Sequence, residues 1–226
     1  MVKMFISKMT NCVNLCRALV FFALLIPACM MAIAEDSEGI QAAFLDDFSN
    51  PASGWRNNSE NYDYLENEYE IKVSQTNHVY WAWAPIKISG DYILQVDMRV
   101  VDDFAGGEYG LVFNRTEGDK GEVIYMFFIK PHVRGYCLKK LSNRYWSNVV
   151  PFTQNCSYIN LDRKVNRLKV AREGESLQLY VNDHLLKKVK CKDSSSNTLA
   201  GICASSGDEP IHVRFDNFEY DIPGGN

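Results

Sequence analysis

The chain has 226 residues, a formal net charge of −4 and 46% hydrophobic residues. This length and apolar content suit one sizeable domain with a complete hydrophobic core. The acidic balance argues against a nucleic-acid partner, because neutralising phosphates requires clustered Lys and Arg and the basic runs of this sequence are short.

The amino terminus predicts a secretory signal peptide over residues 1–34. A basic segment with Lys3, Lys8 and Arg17 precedes an apolar run that ends in the small-residue pattern Ala-Ile-Ala. We therefore expect an exported protein, periplasmic or extracellular, whose mature form is residues 35–226 without a transmembrane span. Loss of the three basic residues moves the formal net charge from −4 to −7.

Two alternatives remain open for this amino-terminal segment. The apolar run is short for a membrane anchor and is interrupted by Pro27. The stretch Ile-Pro-Ala-Cys resembles a bacterial lipobox, which would make Cys29 the attachment point of a lipid.

From Phe44 onward, the sequence predicts short strands separated by turns. The segment 91–101 alternates most clearly, with apolar residues on one face and Gln95, Asp97 and Arg99 on the other. Alternation and turn residues predict further strands within 107–115, 122–130, 134–150, 167–173, 176–190, 199–205 and 211–221. Because no long segment holds a helical period, the pattern indicates one antiparallel sandwich or barrel.

Six segments occur in an order that carries a resemblance: FLDDFSNPASGW, YEIKV, YWAWAP, YGLVFNR, NRLKVAREGESLQLYVNDHLL and VRFDNFEY. With them, the chain resembles exported bacterial domains of the concanavalin A-like, laminin-G-like jelly-roll group. The resemblance covers about residues 43–221. It implies an all-β fold, an antiparallel two-sheet jelly-roll sandwich formed as a single domain over residues 35–226. The function stays open, because this fold hosts lectins, carbohydrate-binding modules, glycoside hydrolases and adhesion domains.

The segment NHVYWAWAP places two tryptophans at strand spacing. Trp81 and Trp83 point to one face together with Val79, and Tyr80 points to the other face with two alanines. The indoles are expected either to fill the core or to form a platform on which sugar rings stack. Because they share a face, both should behave alike.

A second candidate ligand surface is the polar face of Gln95, Asp97 and Arg99. One sheet is concave in the jelly-roll group, so the resemblance implies that these side chains line a groove beside at least one partly exposed tryptophan. The alternative is that Asp97 and Arg99 pair with charges on neighbouring strands. Tyr145 and Trp146 are expected near an exposed hairpin turn, where aromatic rings often contact ligands.

The carboxylates of the segment ENEYE raise the question of catalysis. Glu66, Glu68 and Glu70 have the spacing of alternating carboxylates on one strand, which sugar hydrolases of this fold use. Asn67 lies between two predicted strands, however, and tolerates the positive φ of a tight turn. The sequence therefore favours a turn here, and no catalytic residue is predicted.

The groove floor implied by the resemblance is apolar. Related disaccharide-processing domains often carry Arg and Glu at positions where alignment puts Asn114 and Phe128. The four histidines are scattered and no Cys-x-x-Cys spacing occurs, so neither a metal site nor a cofactor is predicted.

Four of the seven cysteines remain after removal of the signal peptide. They are Cys137, Cys156, Cys191 and Cys203. An even count in an exported chain suggests disulfides, for which three pairings are possible. Closeness along the chain favours Cys137–Cys156 and Cys191–Cys203, and free buried thiols are the alternative.

The leading functional expectation is an exported, non-catalytic glycan-binding or cell-envelope domain whose partner is a glycan or envelope polysaccharide. One alternative is a protein-interaction or structural module of the envelope. Another is a sugar hydrolase or lyase that uses a concave-sheet groove. Exposed tryptophans on a concave sheet would favour glycan binding, whereas two carboxylates that face each other across a groove would favour hydrolysis.

Overall fold

The protein is described by a computed structural model that covers residues 43–102, 106–116, 122–161, 163–193 and 196–223. The predicted signal peptide and Cys29 lie outside these ranges, so their role stays a prediction. Within the described ranges, no helix is both long and apolar enough to cross a membrane.

Antiparallel strands account for most of the described chain. The first strands are β1 (Phe44–Asp46), β2 (Tyr62–Leu65), β3 (Glu68–Val73), β4 (Val79–Ile88), β5 (Tyr92–Val100), β6 (Glu108–Thr116) and β7 (Val123–Lys130). After a 3₁₀ turn at Pro131–Val133 come β8 (Gly135–Ser142), β9 (Tyr145–Thr153), β10 (Asn166–Glu173), β11 (Ser176–Val181), β12 (His184–Lys190), β13 (Thr198–Ser205) and β14 (Ile211–Asp221).

The strands of the described chain form two sheets that face each other. The larger sheet has eight strands in the order β12-β11-β10-β5-β14-β3-β2, with β1 also paired to β14. The smaller sheet has six strands in the order β4-β13-β6-β7-β8-β9. This arrangement confirms the predicted all-β, antiparallel two-sheet jelly-roll sandwich.

The main core lies between the two sheets and follows the alternation of each strand. The apolar residues that alternate along β5 are at most 5% exposed: Tyr92, Leu94, Val96, Met98 and Val100. Large rings from both sheets fill the centre, including Tyr69, Tyr109, Phe113, Phe127, Phe215 and Tyr220. Burying an apolar side chain stabilises the fold by about 1.5–3 kcal/mol, so this layer is the main source of stability.

Two-residue turns join several of the hairpins. Glu66 and Asn67 connect β2 to β3 with φ values of 56° and 61°. Asn143 and Arg144 connect β8 to β9 with φ values of 51° and 68°. Positive φ at both central residues is the requirement of a type I′ hairpin turn. The turn predicted at ENEYE and the hairpin turn predicted near Tyr145 are both confirmed.

A second apolar layer covers the outside of the smaller sheet. Its buried members are Val112, Ile124, Met126, Phe128, Cys137 and Cys203, and the side chains packed on them include Val79, Trp81, Trp83 and Leu141. We call this set the outer layer. Strand β7 is therefore apolar on both faces, as its sequence predicts.

The four cysteines of the described chain are free thiols, so both predicted disulfides are wrong. Cys137 and Cys203 belong to the outer layer, whereas Cys156 and Cys191 pack against the main core. Each predicted pair is thus divided by the backbone of the smaller sheet. Burial raises the pKa of the Cys137 thiol to about 12 and raises that of Cys203 well above its usual range.

Candidate functional site

The two tryptophans of β4 lie outside the main core, in the outer layer of the smaller sheet. Their ring centroids are 6.5 Å apart and their planes are tilted by 55°. Both indoles are half-buried, whereas Ala82 between them is 1% exposed and faces the core. The predicted parity is confirmed, and Trp81 and Trp83 do not plug the space between the sheets.

The smaller sheet curls into a groove on this outer side. One pocket of about 250 Å³ is lined by Val79 of β4, Phe128 of β7, Lys139 of β8 and residues 146–148 of β9. Strands β4 and β9 are the two opposite edges of the smaller sheet. Because one pocket is lined from both edges, the sheet must be concave here. We call this space the groove.

The floor of the groove is apolar, as predicted at Phe128, which is 2% exposed. Asn114, however, points into the core. Its φ of 57° marks an irregular residue in β6, and its Oδ1 accepts a hydrogen bond from the Tyr92 hydroxyl at 3.0 Å. The expectation that Asn114 lies in the groove is therefore wrong, because the strand irregularity reverses the direction of its side chain.

One ion pair stands on this apolar floor. Lys139 Nζ lies 2.6 Å from Glu108 Oε2, and it also lies 5.2 Å from the centroid of the Phe128 ring. The Glu108 and Lys139 side chains are 18% and 30% exposed, so solvent and ligand can reach both. No local sequence pattern indicates this pair, because its residues come from β6 and β8, which are joined only through the pairing of each with β7.

Aromatic rings mark the rim of the groove at β9. Trp146 is 48% exposed and lies opposite Leu141 of the outer layer. Tyr145 is 79% exposed but does not line the groove. Both residues are exposed, as predicted, and Trp146 alone of the two faces the floor.

A second pocket adjoins the groove at its other edge. It has a volume of about 340 Å³ and lies where β2, an edge of the larger sheet, meets β4, an edge of the smaller sheet. We call it the seam pocket. It is lined by Arg56, Asn61, Tyr62, Val79, Tyr80 and Trp81. Val79 lines both pockets, so the two spaces are neighbours.

The polar face of β5 lies on the opposite outside of the sandwich. Asp97 accepts two hydrogen bonds from Arg167, at 2.6 and 2.7 Å. Arg99 pairs with Glu68, and Gln95 donates to Glu219. The expectation that Gln95, Asp97 and Arg99 line a groove beside the tryptophans is wrong, because consecutive strands β4 and β5 enter different sheets. Their alternative role, pairing across strands, is the one observed.

The three glutamates of ENEYE converge on Arg214 of β14. Its guanidinium lies 2.8 Å from Glu70, 2.6 Å from Glu66 and 3.2 Å from Glu68. Burial alone would raise the pKa of Glu70, but hydrogen bonds from Lys72 and Arg214 outweigh it and lower that pKa. These carboxylates therefore hold strands together and do not face a cleft.

Comparison with known proteins relies on the fold. No protein-family model matches the sequence, and no curated protein matches it. The structure resembles a Bacillus licheniformis beta-glucanase with a TM-score of 0.60, at 10% identity over 81% of this chain and 100% of that chain. The chain has the concanavalin A-like jelly-roll fold.

Two further solved structures resemble this jelly roll. One, from work on endo-acting O-glycanases of the human gut microbiota that initiate mucin breakdown, has a TM-score of 0.60 at 13% identity, over 78% of this chain and 97% of that chain. The other, the carbohydrate-binding module CBM66 from Bacillus subtilis, has a TM-score of 0.56 at 15% identity, over 75% of this chain and 96% of that chain.

These resemblances correct the leading functional expectation. By their names, the similar structures are mostly glycan-degrading enzymes, with one binding module among the three described above. The expectation of a non-catalytic glycan-binding or envelope domain is therefore wrong, and the sugar hydrolase or lyase alternative is better supported. At these identities the resemblance itself establishes the fold alone, and the chemistry depends on the residues of the groove.

Proposed function

We propose that the protein is a glycan-cleaving enzyme, a sugar hydrolase or lyase, that holds its substrate in the groove of the smaller sheet. The observation that carries this proposal is the Glu108–Lys139 pair, 2.6 Å apart on the floor of the groove. A proton acceptor and a proton donor thus stand side by side in a concave, largely apolar site, which is the usual setting of a catalytic pair.

Aromatic rings at both edges of the groove suit a sugar chain. The C–H faces of sugars stack on indole rings, and Trp146 offers a ring that is 48% exposed at the β9 rim. Trp81 offers a half-buried ring at the β4 rim. Asn148 lies opposite Lys139 on β9 and adds an amide that can hydrogen-bond sugar hydroxyls. A bound chain would cross the floor directly above the ion pair.

The pair can carry out both halves of a cleavage. In hydrolysis, the bond from the anomeric carbon to the leaving oxygen would break as Lys139 gives that oxygen a proton. Water would then bond to the same side of that carbon while the Glu108 carboxylate takes its proton, because the two groups are in contact and cannot flank the ring. The proton on Glu108 then returns to Lys139 across the 2.6 Å contact. The enzyme is restored and one water has been consumed.

Elimination is a second candidate, and one distance favours it. Hydrolysis by two carboxylates requires them about 5–9.5 Å apart. The pair at this site is instead one carboxylate and one ammonium, in contact at 2.6 Å. Both groups therefore reach the same side of a sugar ring.

Elimination needs only one carboxylate as base. Glu108 would take the proton from the sugar carbon next to a uronate carboxyl group, and the electron pair would form a carbon–carbon double bond. The adjacent carbon–oxygen bond would break, and Lys139 would protonate the leaving oxygen. The Glu108 proton would again return to Lys139, with no water consumed.

Substitution at Glu108 tests the proposal. Purified protein is incubated with a panel of polysaccharides, and new reducing ends are compared with the ultraviolet absorbance of unsaturated products. Reducing ends alone indicate hydrolysis, and both signals together indicate elimination. We expect Glu108→Gln to lower kcat by about 10²–10⁴-fold, with glycan affinity little changed.

The matched control is Glu173→Gln, which removes an exposed carboxylate at the end of β10 in the larger sheet. This variant should cleave as the wild type does. Full turnover by Glu108→Gln, or no cleavage of any polysaccharide by the wild type, would contradict the proposal.

We also propose that the protein is exported, which is supported by the signal-peptide pattern of residues 1–34. Mass spectrometry of secreted material should find Glu35 as the first residue. A lipid on Cys29 would show instead that the chain is anchored to a membrane.

A further inference from the structure

The seam pocket contains a positively charged group that has no acidic partner. Arg56 is exposed and lines this space of about 340 Å³. Among the described residues, no carboxylate lies within ion-pair distance of its guanidinium, whereas most arginines on the larger sheet are paired. Arg99, Arg167 and Arg214, for example, each bind at least one carboxylate. An unpaired guanidinium beside a pocket can bind an incoming anion without first releasing an internal one.

The position of Arg56 is set by two aromatic residues. Its guanidinium carbon lies 4.7 Å from the centroid of the Tyr62 ring, a geometry that favours a cation over the ring face. Tyr62 is itself 5% exposed and stacks on Tyr80 at 6.1 Å. The Tyr69 hydroxyl donates a hydrogen bond to the carbonyl oxygen of Arg56. Backbone and side chain are therefore both held before any ligand arrives.

The remaining walls of the pocket suit a sugar ring. Trp81 contributes an indole on which the ring can stack, and Asn61 contributes a side-chain amide. The planar fork of an arginine matches the two oxygens of a carboxylate or of a sulfate. A neutral sugar would leave this guanidinium without a charged partner, so we expect the pocket to favour a negatively charged sugar.

We propose that the seam pocket is a subsite for a negatively charged sugar, a uronate or a sulfated sugar, of the glycan that the groove holds. Val79 lines both spaces, and Trp81 joins the outer layer of the groove to the wall of the seam pocket. One chain can thus extend from Trp146 across Lys139 to Arg56. This inference rests on the proposed function and assigns its substrate class.

Binding to matched oligosaccharides tests the subsite. The probes are oligogalacturonate and hyaluronan hexasaccharide, each with its carboxyl-reduced form, and a sulfated carrageenan oligosaccharide with its desulfated form. Affinities are measured by titration calorimetry at fixed ionic strength. We expect the wild type to bind at least one charged probe about tenfold or more tightly than its neutral counterpart. A preference for a uronate probe over its carboxyl-reduced form would indicate a carboxylate ligand. A preference for the sulfated probe over its desulfated form would indicate a sulfate ligand.

Two substitutions at Arg56 locate the preference. Arg56→Gln should abolish it by weakening the charged probe about tenfold, with the neutral counterpart changed less than twofold. Arg56→Lys keeps the charge but loses the planar fork, and should retain part of the preference. The control Lys188→Gln removes one exposed positive charge from edge strand β12 and should leave both affinities unchanged.

Equal binding of charged and neutral probes by the wild type would overturn the subsite, and so would a preference that survives in Arg56→Gln. Failure of the subsite and failure of the proposed function are distinguishable. Charged probes that bind through Arg56 but are never cleaved would uphold the subsite and contradict the enzyme. Cleavage of a charged glycan that Arg56→Gln binds and cleaves as well as the wild type would do the reverse.

Discussion

Glu108 and Lys139 meet at 2.6 Å across strand β7, although they belong to β6 and β8. The Phe128 ring of the intervening strand lies beside the Lys139 ammonium at 5.2 Å from its centroid. On the side of the sheet, the apolar ring offers the ion pair no polar partner. On the other side, the Glu108 and Lys139 side chains are 18% and 30% exposed. The ion pair is therefore packed on an apolar surface and still accessible to a substrate, as a catalytic pair must be.

Alanine substitutions at Trp81 and Trp55 should have different effects, one on glycan binding and the other on stability. Trp81→Ala removes a half-buried indole from the groove rim, and should weaken glycan binding about tenfold or more at a modest cost in stability. Trp55→Ala should cost about 3–5 kcal/mol of unfolding free energy, because Trp55 is 4% exposed and donates a buried hydrogen bond to Asp46 at 2.9 Å. Urea denaturation and glycan titration measure the two effects. Equal destabilisation by both variants would assign Trp81 to structure.

The thiols should stay reduced and shielded in the folded domain. Cys137 and Cys203 are buried with raised pKa values, so neither forms the reactive thiolate at neutral pH. Iodoacetamide should label both only after denaturation, whereas half-buried Cys156 should react first. Mass spectrometry of the peptides measures the labelling. A disulfide-linked peptide from unreduced protein would contradict the assignment of four free thiols.

Removing Arg214 from its ion cluster should lower the free energy of unfolding more than replacing both Arg214 and Glu70 by apolar residues. Arg214→Met leaves the fully buried Glu70 without its guanidinium, and should cost about 3 kcal/mol, as loss of one partner of a buried pair does. In that variant Glu70 keeps only Lys72 and His212 as partners, so adding Glu70→Leu removes a buried carboxylate that has lost one of its partners and should recover part of that loss. Urea denaturation of wild type and both variants measures this. A double variant less stable than Arg214→Met would show that the carboxylate is satisfied without the arginine.

Asp216 should destabilise the fold when it is ionised. Burial raises its pKa, and the nearby carboxylates of Glu68 and Asp97 raise it further. Because the folded pKa exceeds the unfolded value of about 3.9, ionisation is less favourable in the folded state, and stability falls as pH rises through this window. Asp216→Asn should therefore be more stable than wild type at pH 7.

The pH dependence of that gain provides its check. The extra stability of Asp216→Asn should shrink as pH falls toward 4, since the wild-type carboxyl then binds its proton in the folded state. The backbone N–H of Asn217 donates to Asp216 Oδ1 at 2.7 Å, and asparagine preserves this acceptor. Exposed Asp208→Asn serves as the control and should show no comparable gain. An equal gain at pH 4 and pH 7 would rule out ionisation as the cause.

The sequence by itself determined what depends on neighbouring residues. The twofold period of a strand places Trp81 and Trp83 on one face, whatever that face meets. The alternation of β5 predicts its buried residues, and the turn at Glu66 and Asn67 follows from the local tolerance for positive φ. These features are confirmed because each needs only the geometry of a few consecutive residues.

Only the tertiary structure determined on which side of the sandwich each strand face lies. Strands β4 and β5 follow one another in the chain but enter different sheets, so the tryptophans and the Asp97 face lie on opposite outsides of the sandwich. The same non-local pairing separates Cys137 from Cys156 and brings Glu108 to Lys139. Strand pairing between distant segments depends on the burial of the whole core, and no local pattern in the sequence records it.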